Sequence, residues 1–231
     1  MLEIKNLSAC YGESTIIPNL SMSVPDGEIV CLVGRNGVGK STTLKSIMGM
    51  VKTPGGSIEL SGEEIITKKT YERAALGIGY VPQGREIFPQ LTVEENLELS
   101  LEAGGKKGTI GEEIFELFPI IKTFLKRKGG NLSGGQQQQL AIARALVSQP
   151  KILILDEPSE GIQPSIIEDI ATAIQRVNKE LGITVLIVEQ YLDFVLSVSN
   201  RYYVMDKGEI TLSGLSAEAN ASTIQAKMSI G

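Results

Sequence analysis

The chain has 231 residues, a net charge of −5 and 42% hydrophobic residues, enough to bury a proper core as one large domain or two small ones. The acidic balance, with no long basic stripe, argues against DNA or RNA as the main partner. Histidine is absent, which removes the usual general base and the commonest zinc ligand, and Cys10 and Cys31 are too few for a disulfide framework.

No apolar run approaches the roughly 18 residues needed to span a bilayer; the run Ile183 to Val188, with Thr184 inside it, has six residues. The start, Leu2-Glu3-Ile4-Lys5, alternates apolar and charged residues and reads as no signal peptide, so a cytosolic protein is expected. Residues 1 to 25 alternate in period two around Leu2, Ile4 and Leu7, then around Ile16, Leu20, Met22 and Val24. That pattern predicts antiparallel strands beside a main sheet. The run Ile29 to Val33 reads as a buried strand, Gly34-Arg35-Asn36-Gly37-Val38-Gly39-Lys40-Ser41 as a loop, and Thr42 to Met48 as a helix closed by Gly49.

The loop fits G-x-x-x-x-G-K-[ST], and strand, glycine loop and helix in that order make a phosphate cradle. Glycines let backbone N–H groups turn inward, and the helix start brings its positive dipole end to the same point. Lys40 would set a full charge on the β- and γ-phosphates, and the Ser41 hydroxyl would be a Mg²⁺ ligand.

Thr53-Pro54-Gly55-Gly56 reads as a turn, Ser57 to Leu60 as a short strand, Tyr71 to Leu76 as helix, and Gly77 to Pro82 as a strand that delivers Gln83 onto a loop. From Ile87 to Val147 strand signals vanish. Thr92 and Glu95 form a capping box ahead of an Asn96 to Leu101 helix. Gly104 to Gly108 reads as a mobile loop, Gly111 to Phe118 and Ile120 to Phe124 as helical pieces, and the basic cluster Lys122 to Lys128 as a solvated helix end. A longer helix runs from Gln136 to Val147, behind Asn131-Leu132-Ser133-Gly134-Gly135. The chain is thus expected to be one α/β domain, with a core at 1–86 and 148–231 and a helical subdomain inserted at about 87–147.

The core resumes with the strand Ile152 to Leu155, which ends in Asp156-Glu157-Pro158. Pro164 opens a helix with Ile167, Ile170, Ala173, Ile174, Val177 and Leu181 on its apolar face and Gly182 as its cap. Ile183 to Val188 is the next buried strand, so Glu189-Gln190 falls at a strand's carboxyl end, where open α/β sheets bind ligands. Tyr202 to Leu212 reads as a hairpin around Asp206-Lys207-Gly208. The tail from Ser216 offers no further domain.

ATP hydrolysis needs a phosphate cradle, a metal bridging the β- and γ-oxygens, and a group that orients water. Asp156 at a strand end would hold Mg²⁺ through water, and Glu157, on the other side of an extended backbone, would polarise the attacking water. Ser133, Gly134, Gly135 and Gln136 open a long helix with unpaired N–H groups, a second candidate anion site. An ordinary N-cap would explain Ser133 but not both glycines.

In this order, Gly34 to Ser41, Gln83, Leu132-Ser133-Gly134-Gly135-Gln136, Asp156-Glu157 and the polar residue at 190 resemble the motifs of an ABC-transporter ATP-binding cassette, over nearly the whole chain. The resemblance implies a P-loop NTPase core with an antiparallel β subdomain and an inserted helical subdomain. It implies ATP bound by Gly34 to Thr42, Tyr11 stacked on adenine, and Gln83 joining the Mg²⁺ and sensing a membrane subunit. It also implies a head-to-tail dimer, with itself or a sister cassette, in which Ser133 to Gln136 of one chain cover the nucleotide of the other. The partners would be transmembrane permease subunits and, indirectly, a solute-binding protein, at the cytoplasmic face of the membrane.

The wording of Tyr11 to Ser14, Gly34 to Val38, Gln83 to Pro89, Gln136 to Gln139, Glu160 to Pro164 and Val188 to Tyr191 is closest to branched-chain amino acid importers, and most like their urea-importing branch. Urea or a short-chain amide is the solute expected, with a branched-chain amino acid as the alternative. Two positions depart from the wider family: Gln190 stands where histidine is usual, and Gln163 where aspartate is usual. A glutamine amide can donate to the γ-phosphate but cannot take up a proton, so Glu157 carries the base-like role. A soluble ABC ATPase of translation or repair usually has paired cassettes or coiled-coil insertions, which this chain lacks, and intact Lys40, Asp156 and Glu157 speak against a regulatory module without turnover.

Overall fold

The computed structural model describes residues 1–105 and 109–229. Lys106 to Gly108, part of the loop expected at Gly104 to Gly108, lie outside the described residues. In chain order, β1 (Leu2–Tyr11) and β2 (Ser14–Val24) form the antiparallel pair expected from period two, and β3 (Ile29–Val33) leads through the glycine loop into α1 (Lys40–Ile47). Next come β4 (Lys52–Leu60), β5 (Glu63–Glu64), α2 (Thr70–Ala75) and β6 (Ile78–Val81). The helices α3 (Val93–Ala103), α4 (Glu112–Leu117), α5 (Pro119–Thr123) and α6 (Gly134–Leu146) follow. The chain returns to the sheet with β7 (Ile152–Asp156), α7 (Pro164–Leu181), β8 (Thr184–Glu189), α8 (Leu192–Val198), the hairpin β9 (Arg201–Asp206) and β10 (Glu209–Leu215), and α9 (Ala221–Ser229).

The strands form two sheets. One is antiparallel, in the order β2-β1-β4-β5; the other runs β10-β9-β3-β8-β7-β6, with only β10 antiparallel. The central strands read as unbroken apolar runs because both faces are covered. Val30, Leu32, Ile152, Ile154, Leu186 and Val188 pack towards α1 and the antiparallel sheet. Cys31, Val33, Leu153, Leu155, Val185 and Ile187 pack towards the helices on the other face. The helices between 87 and 147 share that second core through Val93, Leu97, Phe118 and Leu140. Burial pushes the Cys31 thiol well above its ordinary range, so it is inert.

Four expectations need correction. Thr53-Pro54-Gly55-Gly56 is no turn: it lies within β4, which pairs with β1 through register shifts at Lys5/Ser8 and Ser8/Cys10. Gly56 has φ +90°, and a Cβ there would lie 2.6 Å from Asn6 O and Leu7 Cα, so the glycines allow two strands to close on each other at a bulge. Glu157 is not extended but left-handed, with φ +49°. The helix α6 already begins at Gly134, and Leu181, at the end of α7, is exposed rather than packed.

Both ends of α1 are held. At its C-terminus the buried Arg73 guanidinium donates to Ser46 O (2.7 Å) and Ile47 O (2.8 Å) of the helix end, and to Ile66 O (2.6 Å) and Lys68 O (2.9 Å). A cation on the last carbonyls of a helix suits the helix dipole. Here it also ties the phosphate-loop helix to α2 and so to β6.

Candidate nucleotide-binding site

The glycine loop is shaped by close approaches. Gly37 and Gly39 have φ of +83° and +113°, and a Cβ on Gly34 would lie 2.5 Å from Met205 O. Gly34 N donates to Glu189 O (3.2 Å) and Gly208 N to Val38 O (2.8 Å), so the loop is fixed on both flanks. The helix α1 has no side-chain cap and no acid in its first turn, which leaves its N-terminal N–H groups for an anion.

A cavity of about 460 Å³ opens there, walled by Tyr11, Ile16, Asn36, Gly37, Gly39, Lys40, Ser41, Thr42, Gln83 and Glu157. Lys40 is folded onto the loop: Nζ donates to Arg35 O (3.0 Å) and pairs with Glu157 Oε1 at 3.2 Å, both side chains being buried. Breaking such a pair from one side would strand a buried charge, so an arriving anion must replace Glu157 on Lys40 rather than merely remove it. Ser41 Oγ donates to Asp156 Oδ1 (3.0 Å). Asp156 shares the face of Ile152 and Ile154, which is the α1 side, and burial raises its carboxyl above the usual range while the Ser41 bond pulls it back. Gln83 Nε2 donates to Glu160 Oε2 (2.9 Å) and Glu157 Oε2 (3.5 Å). The left-handed backbone at Glu157 costs about 1 kcal/mol or more for a residue other than glycine. It is held by Glu157 N donating to Val188 O at 2.9 Å.

A hydroxyl and a carboxylate joined by one hydrogen bond are hard oxygen donors of the sort Mg²⁺ takes, with water and phosphate oxygens completing the shell. Among the described residues no cluster of three or more His, Cys, Asp or Glu side chains could hold a metal by itself, so the chemistry fits a metal held jointly with a phosphate ligand.

The structure therefore brings Tyr11, Asn36, Gly37, Gly39 to Thr42, Gln83 and Glu157 to one cavity, with Asp156 beside it. Ser133, Gly134, Gly135, Gln136 and Gln190 do not line its walls. Ser133 caps α6 by accepting from Gln136 N (3.4 Å), and Ser133 N donates to Gln136 Oε1 (2.9 Å). Both glycines have packing reasons as well: a Cβ on Gly135 would lie 2.4 Å from Ile166 Cγ2, and one on Gly134 would lie 3.3 Å from the Arg85 guanidinium. Gln190 N donates to Glu189 Oε2 (2.9 Å). Sequence reasoning placed Glu189 at a strand end but missed its contacts, missed Ser159 altogether, and took Arg85 only as part of the wording of Gln83 to Pro89.

A family model described as "ABC transporter" matches residues 17–160. High-affinity branched-chain amino acid transport ATP-binding protein BraG of Pseudomonas aeruginosa is 40% identical over 214 residues, covering 92% of this chain and 91% of that protein. The chain belongs to the ABC transporter ATP-binding family. The probable branched-chain amino acid transport ATP-binding protein LivF of Archaeoglobus fulgidus is 37% identical over 220 residues, covering 94% and 93%.

Among solved structures, the MJ1267 cassette of an ABC transporter superposes with a TM-score of 0.84 at 30% identity, covering 100% of this chain and 99% of that one. The MJ0796 cassette, dimeric in a post-hydrolysis state bound to ADP and Pi, gives 0.83 at 29% identity, covering 94% and 99%. The fold is thus the α/β cassette with an antiparallel sheet and helical elements, and this cassette is an ATP-hydrolysing ABC ATPase. No helix among the described residues is long and apolar enough to cross a membrane.

Proposed function

We propose that this cassette powers an importer of branched-chain amino acids by ATP hydrolysis at a site completed by a second cassette. The observation that carries the hydrolytic part is the meeting of Lys40, Ser41, Gln83 and Glu157 in one cavity beside Asp156. The similarity to BraG and LivF supports the solute class. The motif wording at Gln83 to Pro89 and Glu160 to Pro164 favours a second reading, urea or a short-chain amide.

In this reading Gly34 to Thr42 wrap the phosphates and Tyr11, exposed at the cavity's edge, stacks on adenine. Lys40 exchanges Glu157 for the β- and γ-phosphates, which frees Glu157 to polarise the attacking water. Ser41 and Asp156, with Gln83, would hold Mg²⁺, which would neutralise phosphate charge there. Gln190 donates to the γ-phosphate. Ser133 to Gln136 of the partner cassette close on the same group, and its removal releases the dimer.

The permease docks on a second cavity of about 880 Å³, lined by Met50, Tyr71, Arg85, Glu86, Arg144 and Lys151. Exposed Met50 and Tyr71 supply apolar contact, and Arg85 and Glu86 connect it to Gln83. The inserted helices at about 87–147 would carry motion from one cavity to the other.

The test is ATPase activity of the cassette reconstituted with its permease and solute-binding protein. Leucine, isoleucine or valine should stimulate turnover. Stimulation by urea alone would favour the second reading, and none by any solute would refute coupled import.

A further inference from the structure

The carboxyl end of β8 carries a buried acid to which the hydrolytic reading gives no task. Glu189 is 0% exposed, and no cation pairs with it among the described residues. Its carboxylate is instead satisfied by two different loops. Oε1 accepts from Ser159 N (3.0 Å) and Ser159 Oγ (2.5 Å), while Oε2 accepts from Gln190 N (2.9 Å) and Tyr191 N (3.4 Å). Burial raises this carboxyl above its ordinary range, and those four donors offset the cost of its charge.

The backbone around it holds the Glu157 turn a second time and adds a third loop. Glu189 O accepts from Gly34 N, where the phosphate loop begins, and Val188 O accepts from Glu157 N. The turn carrying Glu157 is therefore fastened to β8 on both sides of its left-handed residue: Glu157 N on one side, Ser159 on the other. A purely structural acid would need only to be satisfied. That account does not explain why its two oxygens divide between the Glu157 turn and the Gln190 segment.

We propose that Glu189 is a positioning residue for ATP hydrolysis, its carboxylate clamping the turn that carries Glu157 to the segment that carries Gln190 at the root of the phosphate loop. This rests on the reading of Glu157 and Gln190 as the groups at the γ-phosphate. The clamp keeps them in register with the phosphates while ATP draws Lys40 away from Glu157.

Glu189→Gln tests the clamp at nearly constant volume. An amide offers one oxygen, so whichever way it turns, at least one of the N–H groups of Ser159, Gln190 and Tyr191 faces an N–H. Steady-state ATPase of the purified full chain should show kcat reduced about 10-fold or more, the sensitivity expected of a displaced catalytic group. KM for ATP should stay within about threefold, since the phosphate loop and Tyr11 are untouched.

Ser159→Ala, which keeps the backbone donor, should lower kcat less, again at constant KM. The double variant should fall little below Glu189→Gln alone, because the two act on one network. Thermal unfolding of each variant separates loss of turnover from loss of folded protein; if Glu189→Gln does not fold, Ser159→Ala decides. Parental kcat in the folded variant under test, a fall lying wholly in KM, or fully additive losses in the double variant would overturn the proposal. Glu157→Gln run alongside distinguishes the failures: if it hydrolyses at the parental rate, the underlying reading of the site fails, whereas an inactive Glu157→Gln beside a fully active Glu189→Gln sinks only the clamp.

Discussion

The N-termini of α1 and α6 both carry glycine-rich leads, and they are built in opposite ways. The start of α1 has no side-chain cap, sits behind two left-handed glycines and faces Lys40, Ser41 and Glu157 inside a cavity. Its far end is bolted down by Arg73. The start of α6 is capped by its own Ser133 and Gln136 and opens onto no wall of that cavity. A helix end without a cap keeps its N–H groups for a ligand, whereas a capped one has already used some of its donors. In the function proposed above, the uncapped start of α1 is the phosphate cradle of its own chain, and the capped start of α6 is a preformed lid for the phosphate of another copy.

Changes to the two ends should therefore separate. The largest effect is expected for Glu157→Gln, which on the proposed reading removes the base but not the cradle: turnover should fall about 100-fold or more while ATP is still bound, as single-turnover hydrolysis and nucleotide filter binding would report. Arg73→Met loosens the cradle's rear anchor, removing the guanidinium donor from the Ser46, Ile47, Ile66 and Lys68 carbonyls, of which Ser46 O keeps Gly49 N. It should cost about 3 kcal/mol in denaturant unfolding and weaken ATP binding as well.

Ser133→Ala touches only the lid. It should cost about 1 kcal/mol of stability, leave ATP binding by a single chain unchanged, and weaken ATP-dependent dimerisation measured by light scattering. If it weakened binding by the monomer equally, the two ends would not be separate devices. The smallest effect is the pH dependence: with no histidine in the chain, turnover should vary little between about pH 6.5 and 8.

The cradle was readable in the sequence and the lid's detail was not, for a physical reason. A phosphate cradle of the kind proposed for Gly34 to Ser41 works through backbone N–H groups, and a backbone device needs fixed glycine positions, which a pattern can find. The parallel strands were readable too, since burial on both faces leaves unbroken apolar runs at 29–33, 152–155 and 185–188. Local signals failed where a distant neighbour decided the outcome. Pro54-Gly55-Gly56 looked like a turn because nothing nearby shows that β1 lies 2.6 Å from where a Gly56 Cβ would sit. Glu157 looked extended because its left-handed φ is held by Val188 O, 31 residues later in the chain. Glu189 ended an apolar strand like any other acid, and only the fold brings Ser159 against it.

The central claim is that ATP joins two incomplete sites, and it is tested most directly by the mass of the Glu157→Gln cassette in solution with ATP and Mg²⁺. Twice the monomer mass is expected, for a pair with itself or with a sister cassette, falling to the monomer mass when ATP is replaced by ADP or when Ser133→Arg is added. A monomer under every nucleotide condition, with or without a second cassette, would contradict it.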